Sequence, residues 1–281
     1  MMIDHYKGVL YNGKIFSVLE DAISIEVALN IAVNGKAFTI TMQTPGNEKE
    51  LARGLLFTEG IITDLDHEPQ ISITEKNEEG YVTAVNVVVP PELVVKDFAN
   101  TRNVISGSSC GVCGKTELDD NSDQKIKNSA ILKAEVVPSM FEKISLGQKN
   151  FQLSGGTHAA GAFTIDGEMI TLQEDIGRHN AVDKVIGFLI SNKLIDKAKC
   201  LTVSGRISYE IVSKIKAAGI PFLAAVSAPS SLAIDNAREA GITLMAFCRN
   251  TKFTVYSHPE KIAMGDFKFT SGKVKTIKHV E

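Results

Sequence analysis

Cys110 and Cys113, in Ser108-Ser109-Cys110-Gly111-Val112-Cys113-Gly114, are the residues of this sequence best suited to covalent chemistry. A thiolate can attack a sulfur donor and can hold the transferred sulfane as a persulfide. An unperturbed thiol, with a pKa of about 8.5, is ionised only to a small extent near neutrality. A second thiol two residues on can lower that pKa, and it can also resolve a persulfide or mixed disulfide. Gly111 and Gly114 remove side-chain bulk, so the active site of another protein can close over the sulfur. The flanking Ser and Gly residues keep the segment flexible enough to move between donor and acceptor.

Other chemistries of a cysteine pair fit less well. A structural zinc site takes four ligands, usually from two paired spacings, and the sequence has no second Cys-x-x-Cys. A thioredoxin-like motif sits between a strand and a helix, yet Lys115 to Asp120 shows no helical stripe. A zinc deaminase needs His-x-Glu ahead of Pro-Cys-x-x-Cys, whereas Ser109 precedes Cys110 here. Cys200 and Cys248 sit singly in apolar runs and read as core, although Cys248 beside Arg249 could also be reactive.

Further polar residues are candidates of a second rank. Arg178-His179-Asn180 could meet phosphate or a pterin at a helix start; equally, Asn180 could be a cap and His179 a structural histidine. His158 opens a strand and reads first as structural. Ser227, Ser230 and Ser231 could form a phosphate nest or an ordinary Ser-Ala-Pro-Ser turn. Glu174 and Asp175 read as a solvated strand end, with no facing carboxylate for acid/base work.

The elements that position these residues follow from the chain as a whole. Its 281 residues, 44% hydrophobic and 22% charged with a net charge of -3, suit one large or two modest globular domains. A slightly acidic chain lacks the overall positive field of a non-specific nucleic-acid binder. No apolar run is long enough to cross a bilayer, and Met1 to Lys14 lacks a signal-peptide core, so a cytoplasmic protein without membrane contact is expected. In that compartment four cysteines argue against a disulfide framework.

A first, α+β lobe is expected over residues 10–100. Ile25 to Val33 and Phe38 to Met42 alternate around Asn34-Gly35, a hairpin signal. Asn47 with Glu50 predicts a helix start, Leu51, Leu55 and Leu56 its apolar stripe, and Gly60 its stop. Ile71 to Thr74 and Tyr81 to Val89 read as strands before Pro90-Pro91. Residues 101–130 read as a mobile loop carrying the cysteine pair. A larger α/β lobe is expected over 131–265, with a polar tail at 266–281. Its signals are a hairpin around Asp166-Gly167 and a helix burying Val182, Val185, Ile186, Leu189 and Ile190. A βαβαβ run then extends from Cys200 to Phe247 and predicts parallel strands. Three polar loops, at 204–206, 227–231 and 248–252, then fall at the carboxyl ends of those strands, where α/β sheets bind ligands.

These blocks, taken in order from about Tyr11 to His258, resemble the FdhD/NarQ family of formate dehydrogenase accessory sulfurtransferases. The matching stretches include Val33 to Lys36, Thr44-Pro45-Gly46, Ser108 to Gly114, Thr157 to Ala160, Glu174 to Lys184, Gly205-Arg206, Ala225 to Ser231 and Phe247 to Lys252. The resemblance implies a two-lobed α/β fold whose C-terminal lobe is cytidine-deaminase-like with a parallel or mixed sheet, in a homodimer. It implies persulfide formation on Cys110, assisted by Cys113, with sulfur drawn from a cysteine desulfurase. The implied acceptor is the Mo-bis(molybdopterin guanine dinucleotide) cofactor destined for formate dehydrogenase. Phe247, Cys248, Arg249, Asn250, Thr251 and Lys252 correspond to its cofactor contact, with the guanine nucleotide as the recognised moiety. Family members often carry glycine at the Asn250 position and arginine at the Lys252 position. Lysine keeps the charge there, but it cannot make a bidentate guanidinium contact. Two alternatives of other classes remain: a non-catalytic chaperone that holds and inserts the cofactor, and a zinc-binding module.

Overall fold

Alternation of apolar residues with period two builds most of the strands, and turn residues able to take positive φ divide them. In the computed structural model, which describes residues 2–96, 98, 125–127 and 129–263, β1 (Ile3–Tyr11) and β2 (Phe16–Ser24) form an antiparallel hairpin. It is a sheet of its own, and it starts ahead of the lobe boundary expected at residue 10. The sequence patterns above do not predict it, and its apolar residues join none of the cores formed among the described residues.

β3 (Val27–Val33) and β4 (Lys36–Gln43) form the expected hairpin, with Asn34 and Gly35 at φ 50° and 77° as a type I′ turn requires. α1 (Glu48–Thr58) follows where the stripe of Leu51, Leu55 and Leu56 predicts it. Asn47 does hold the N-cap position, yet no capping box forms: its side chain donates instead to Gln173 Oε1. β5 (Gln70–Lys76) and β6 (Val82–Val88) complete a four-stranded sheet in the order β4-β3-β6-β5. Leu29, Ile31, Val85 and Val87 pack with α1 as its core.

Past the cysteine segment, β7 (Leu132–Lys133) leads into α2 (Val136–Gly147) and α3 (Lys149–Ser154). The patterns above predict neither helix; α2 buries only Val137, Met140 and Ile144, a narrow stripe interrupted by Pro138. β8 (His158–Phe163) and β9 (Met169–Asp175) then form the hairpin around Asp166-Gly167. α4 (Arg178–Ser191), β10 (Cys200–Val203), α5 (Tyr209–Ala217), β11 (Phe222–Ala225), α6 (Ser231–Ala240) and β12 (Thr243–Arg249) follow the predicted rhythm. β13 (Lys252–Val255) turns back on β12, and β14 (Ile262–Ala263) pairs with β7. The main sheet is mixed, in the order β13-β12-β11-β10-β8-β9, and β10, β11 and β12 run parallel. α4, α5 and α6 cover one face through Val182, Val185, Ile215 and Ala237, and α2 covers the other against Phe163, Phe222 and Met245.

The two sheets meet at a helix crossing. A Cβ at Gly54 in α1 would strike the Asp183 carbonyl of α4, and one at Gly187 would strike the Glu50 carbonyl of α1. Two glycines therefore let the helix backbones touch. α4 is consequently buried nearly all round, and its second face carries polar groups. Asp183 accepts from Lys214 Nζ at 2.9 Å and from Thr58 Oγ1 at 2.8 Å, which ties α4 to α5 and α1. The four-stranded sheet falls within residues 10–100 and the six-stranded one within 131–265. Cys110, Cys113, most of the expected 101–130 loop and the 266–281 tail lie outside the described residues.

Candidate functional site

The carboxyl ends of β10, β11 and β12 share one edge, as parallel strands must, and the loops leaving that edge are laced together. Ile207 N–H donates to the Ala228 carbonyl at 3.1 Å, and Ser230 N–H donates to the Ile207 carbonyl at 2.9 Å. Phe247 N–H reaches the Ser227 carbonyl at 3.4 Å. Within this lacing Ser230 is the N-cap of α6, accepting from Ala233 N–H at 3.1 Å. The ordinary turn-and-cap reading of Ser227 to Ser231 thus describes its present bonds.

At the mouth of β10, side chains from four elements converge. His158 comes from β8, Arg178 and His179 from α4, Ser204 and Arg206 from the loop after β10, and Ser208 and Glu210 from the start of α5. Gly205 lies between the first two: a Cβ there would sit 3.3 Å from His158 Nδ1 and 3.4 Å from Arg178 Cδ. Ser204 Oγ accepts from Ala159 N–H at 2.9 Å and stands 3.4 Å from His158 Nδ1. His179 Nε2 is 3.0 Å from Glu210 Oε2 and 3.3 Å from Ser208 Oγ. Burial lowers the His158 pKa from its ordinary value, and the charges of Arg178, His179 and Arg206 lower it further, with Asp175 pulling the other way. The ring is thereby favoured as a neutral imidazole in basic company. Burial acts to raise the Glu210 pKa, but hydrogen bonding and charge from His179, together with Lys214 and Arg178, bring the net shift below the usual carboxylate range.

Beneath this group a buried network sets the start of α4. Gly177, not Asn180, is the N-cap. Asn180 lies inside the first turn, where its amide donates to the Met42 carbonyl at 2.7 Å and to Asp175 Oδ1 at 3.1 Å. Its Oδ1 accepts from Thr41 Oγ1 at 3.2 Å. Asp175, expected as a solvated strand end, is fully buried: it accepts from Gly177 N–H at 2.8 Å and Thr44 N–H at 3.2 Å, and it pairs with Lys184 at 2.8 Å. Lys184 Nζ also donates to the Thr44 carbonyl at 2.7 Å. Burial pushes the Asp175 carboxyl above its ordinary value, and Lys184 offsets only part of that rise. Glu174 is likewise no free strand end, since it accepts from Asn150 and Phe151 N–H at the start of α3 and from Thr157 Oγ1 just ahead of β8. Lys184 and Thr44 lie in the family-matching blocks without a role of their own in the sequence reasoning, and Ser208 and Glu210 escaped it. A lysine and an aspartate on the helix side opposite the apolar stripe were the available signal that this side, too, could be buried.

The segment 247–252 has a different build. It is not a loop past a strand end: β12 runs on to Arg249, Asn250-Thr251 make the turn at Asn250 φ 54°, and Lys252 opens β13 opposite Arg249. Phe247, at φ 55°, lies within a register irregularity and packs on Tyr256 with ring centroids 6.4 Å apart. Arg249, Asn250, Thr251 and Lys252 are exposed. The Cys248 side chain points into the core on the α2 side of the sheet, so its thiol faces no ligand at this edge. Burial raises its pKa to about 12 and pushes that of Cys200 higher still. Both thiols are chemically quiet, which removes the reactive reading of Cys248. Among the described residues no group of three or more His, Cys, Asp or Glu gathers as a metal cage. No helix there is long and apolar enough to cross a membrane.

Comparison with known proteins gives a consistent picture. The FdhD/NarQ family profile matches residues 24–263. Similar proteins include the sulfur carrier protein FdhD of Sulfolobus acidocaldarius, 44% identical over 244 residues, covering 86% of this chain and 92% of that one. The protein of the same name from Mycobacterium tuberculosis is 40% identical over 253 residues, covering 86% and 92%. Among solved structures, a formate dehydrogenase accessory protein from Desulfotalea psychrophila superposes with a TM-score of 0.73 at 21% identity, covering 94% of this chain and 100% of that one. That structure supports the fold.

Proposed function

Because this chain belongs to the FdhD/NarQ family, we propose that it is a sulfur carrier that works through a persulfide on Cys110, with Cys113 assisting. The observation that carries the reading is an elimination among four cysteines. Cys200 and Cys248 are buried with raised pKa values, so neither can present a thiolate to a donor. A thiol carrier of this sequence is left with Cys110 and Cys113, the pair that glycines flank.

The donor in this reading is a cysteine desulfurase. Attack of the Cys110 thiolate on the donor persulfide's outer sulfur forms one S–S bond and breaks another, returning the donor cysteine as a thiolate. The acceptor is the Mo-bis(molybdopterin guanine dinucleotide) cofactor, a substrate here, on its way to formate dehydrogenase. The laced edge of β10, β11 and β12 suits its guanine nucleotide ends. Arg249 and Lys252 bring exposed positive charge, Thr251 and Asn250 bring donors, Phe247 offers a ring edge, and Cys248 can contribute only main-chain atoms. Arg178 and Arg206 supply further positive charge at the mouth of β10. We read the six-stranded layer as cytidine-deaminase-like, which the parallel β10-β11-β12 centre with helices on both faces favours.

Incubation with a cysteine desulfurase and sulfur-labelled cysteine tests the transfer. Mass spectrometry should find one added labelled sulfur on Cys110, lost in Cys110→Ala, and that variant should fail to activate formate dehydrogenase in cells. Absence of label on both Cys110 and Cys113 would leave the non-catalytic chaperone as the better account.

A further inference from the structure

The helix-facing side of β4 carries polar residues where a buried strand face is commonly apolar. Side chains two apart on a strand share a face, so Thr39, Thr41 and Gln43 lie together. Their cross-strand partners in β3 are Ile31, Leu29 and Val27, and Leu29 and Ile31 pack with α1 in the core. The polar row therefore points inward. All three residues are buried, Gln43 with no exposed surface. β9, an edge strand of the other sheet as β4 is of its own, carries a second buried row in Thr171, Gln173 and Asp175.

Most of this buried polarity is matched within the chain. Thr41 Oγ1 donates to Asn180, Gln173 accepts from Asn47 and donates to Thr171, and Asp175 pairs with Lys184. The β4 row is the exception. Among the described residues, neither Thr39 Oγ1 nor the Nε2 and Oε1 of Gln43 has a hydrogen-bond partner. An unbonded carboxamide in the interior forfeits the hydration of a donor and of an acceptor together, which folded chains rarely tolerate.

We propose that the β4 row binds ordered water, which bridges Gln43 into the network that sets the start of α4. The chemistry of the amide selects the ligand. Nε2 can only donate and Oε1 can only accept, so the species that satisfies both must accept and donate in turn. A bare cation suits Oε1 but not Nε2, and an anion the reverse. Complete burial of Gln43 limits the occupant to a molecule of about water's size. Its chain neighbours show where the bridge leads. The Met42 carbonyl, one residue before, accepts from Asn180 at 2.7 Å. Thr44, one residue after, donates from its N–H to Asp175 and accepts from Lys184 at its carbonyl. Gln43 is thus flanked on both sides by bonds to the start of α4, the helix that brings Arg178 and His179 to the mouth of β10. One side of α4 is then a wet polar joint, whereas the Gly54–Gly187 crossing brings backbones together with no room for water. The inference is independent of sulfur transfer.

A high-resolution crystal structure of the full chain tests the proposal directly. Ordered water should stand about 2.7–3.2 Å from both Nε2 and Oε1 of Gln43. Thermal unfolding tests it again through the sign of the change. With water bound, Gln43→Met and Thr39→Val each remove a partner of that water, and Tm should fall by about 2–6 °C. In a dry row the same substitutions delete unbonded polar atoms, and Tm should rise. A Tm at or above that of wild type in either variant overturns the proposal. A Gln43 amide bonded to protein groups with no water between them overturns it too. Should Gln43→Met fail to fold, the wild-type density and Thr39→Val still decide.

Discussion

The mouth of β10 and the β12–β13 turn lie on the same sheet edge, yet they are built in opposite ways. At the mouth, His158, His179, Ser204 and Glu210 come from several elements and are held by short-range contacts, His158 with Ser204 and His179 with Ser208 and Glu210, above a buried network that sets the start of α4. At the turn, Arg249 to Lys252 stand exposed on two residues of reversal. One region is preorganised, and its geometry is tied to the stability of the interior. The other carries charge on a ribbon that can adapt to a ligand. The difference teaches that an identical substitution should read out as stability in the first region and as ligand affinity in the second.

The largest expected effect comes from removing the prop. Lys184→Met leaves Asp175 as a buried carboxylate without its cation and should cost about 3–5 kcal/mol, measured by urea denaturation. A loss near zero would show that the network does not hold the α4 start. Asn180→Leu is next. It strips partners from Thr41 Oγ1 and the Met42 carbonyl, at about 1–3 kcal/mol.

Acidification gives a finer comparison. His158 has a folded pKa below its unfolded value of about 6.5, so the unfolded chain binds more protons in between and stability rises with pH there. That contribution is present above about pH 6.5 and is lost as pH falls toward the depressed folded value. His158→Gln should lose this part of the acid slope, so its Tm should fall less than that of wild type between neutral and mildly acidic pH. Parallel Tm profiles would contradict the neutral imidazole. The smallest stability effect belongs to the turn: Arg249→Gln and Lys252→Gln should stay within about 0.5 kcal/mol of wild type. If both also bind guanine nucleotide as tightly as wild type in calorimetry, the turn is not the nucleotide contact.

Local patterns in the sequence were enough for the β3–β4 hairpin, for α1, and for the β10 to β12 rhythm. Each depends on a short-range signal: Asn34-Gly35 at a turn, a leucine stripe, apolar runs separated by helical ones. The cysteine pair and the blocks resembling the FdhD/NarQ family were also plain from residue order alone. α2, α3 and the β1–β2 hairpin were not legible, because a narrow stripe or an uncovered alternation carries little periodic contrast.

What only the tertiary structure decided concerns polar residues. Asp175 and Glu174 look solvated beside one another in sequence, whereas folding buries the first against Lys184 and hands the second to the start of α3. Asn180 looks like a cap, yet it spans from α4 to β4 across the seam that Gly54 and Gly187 allow to close. The sequence by itself determined the family blocks and the order of elements from β3 to β6 and from β8 to β12, since both reside in neighbouring residues. The roles of Asn180 and Lys184 depended on partners in β4 and just after it, more than a hundred residues away, and only the packed chain brings those within hydrogen-bond reach.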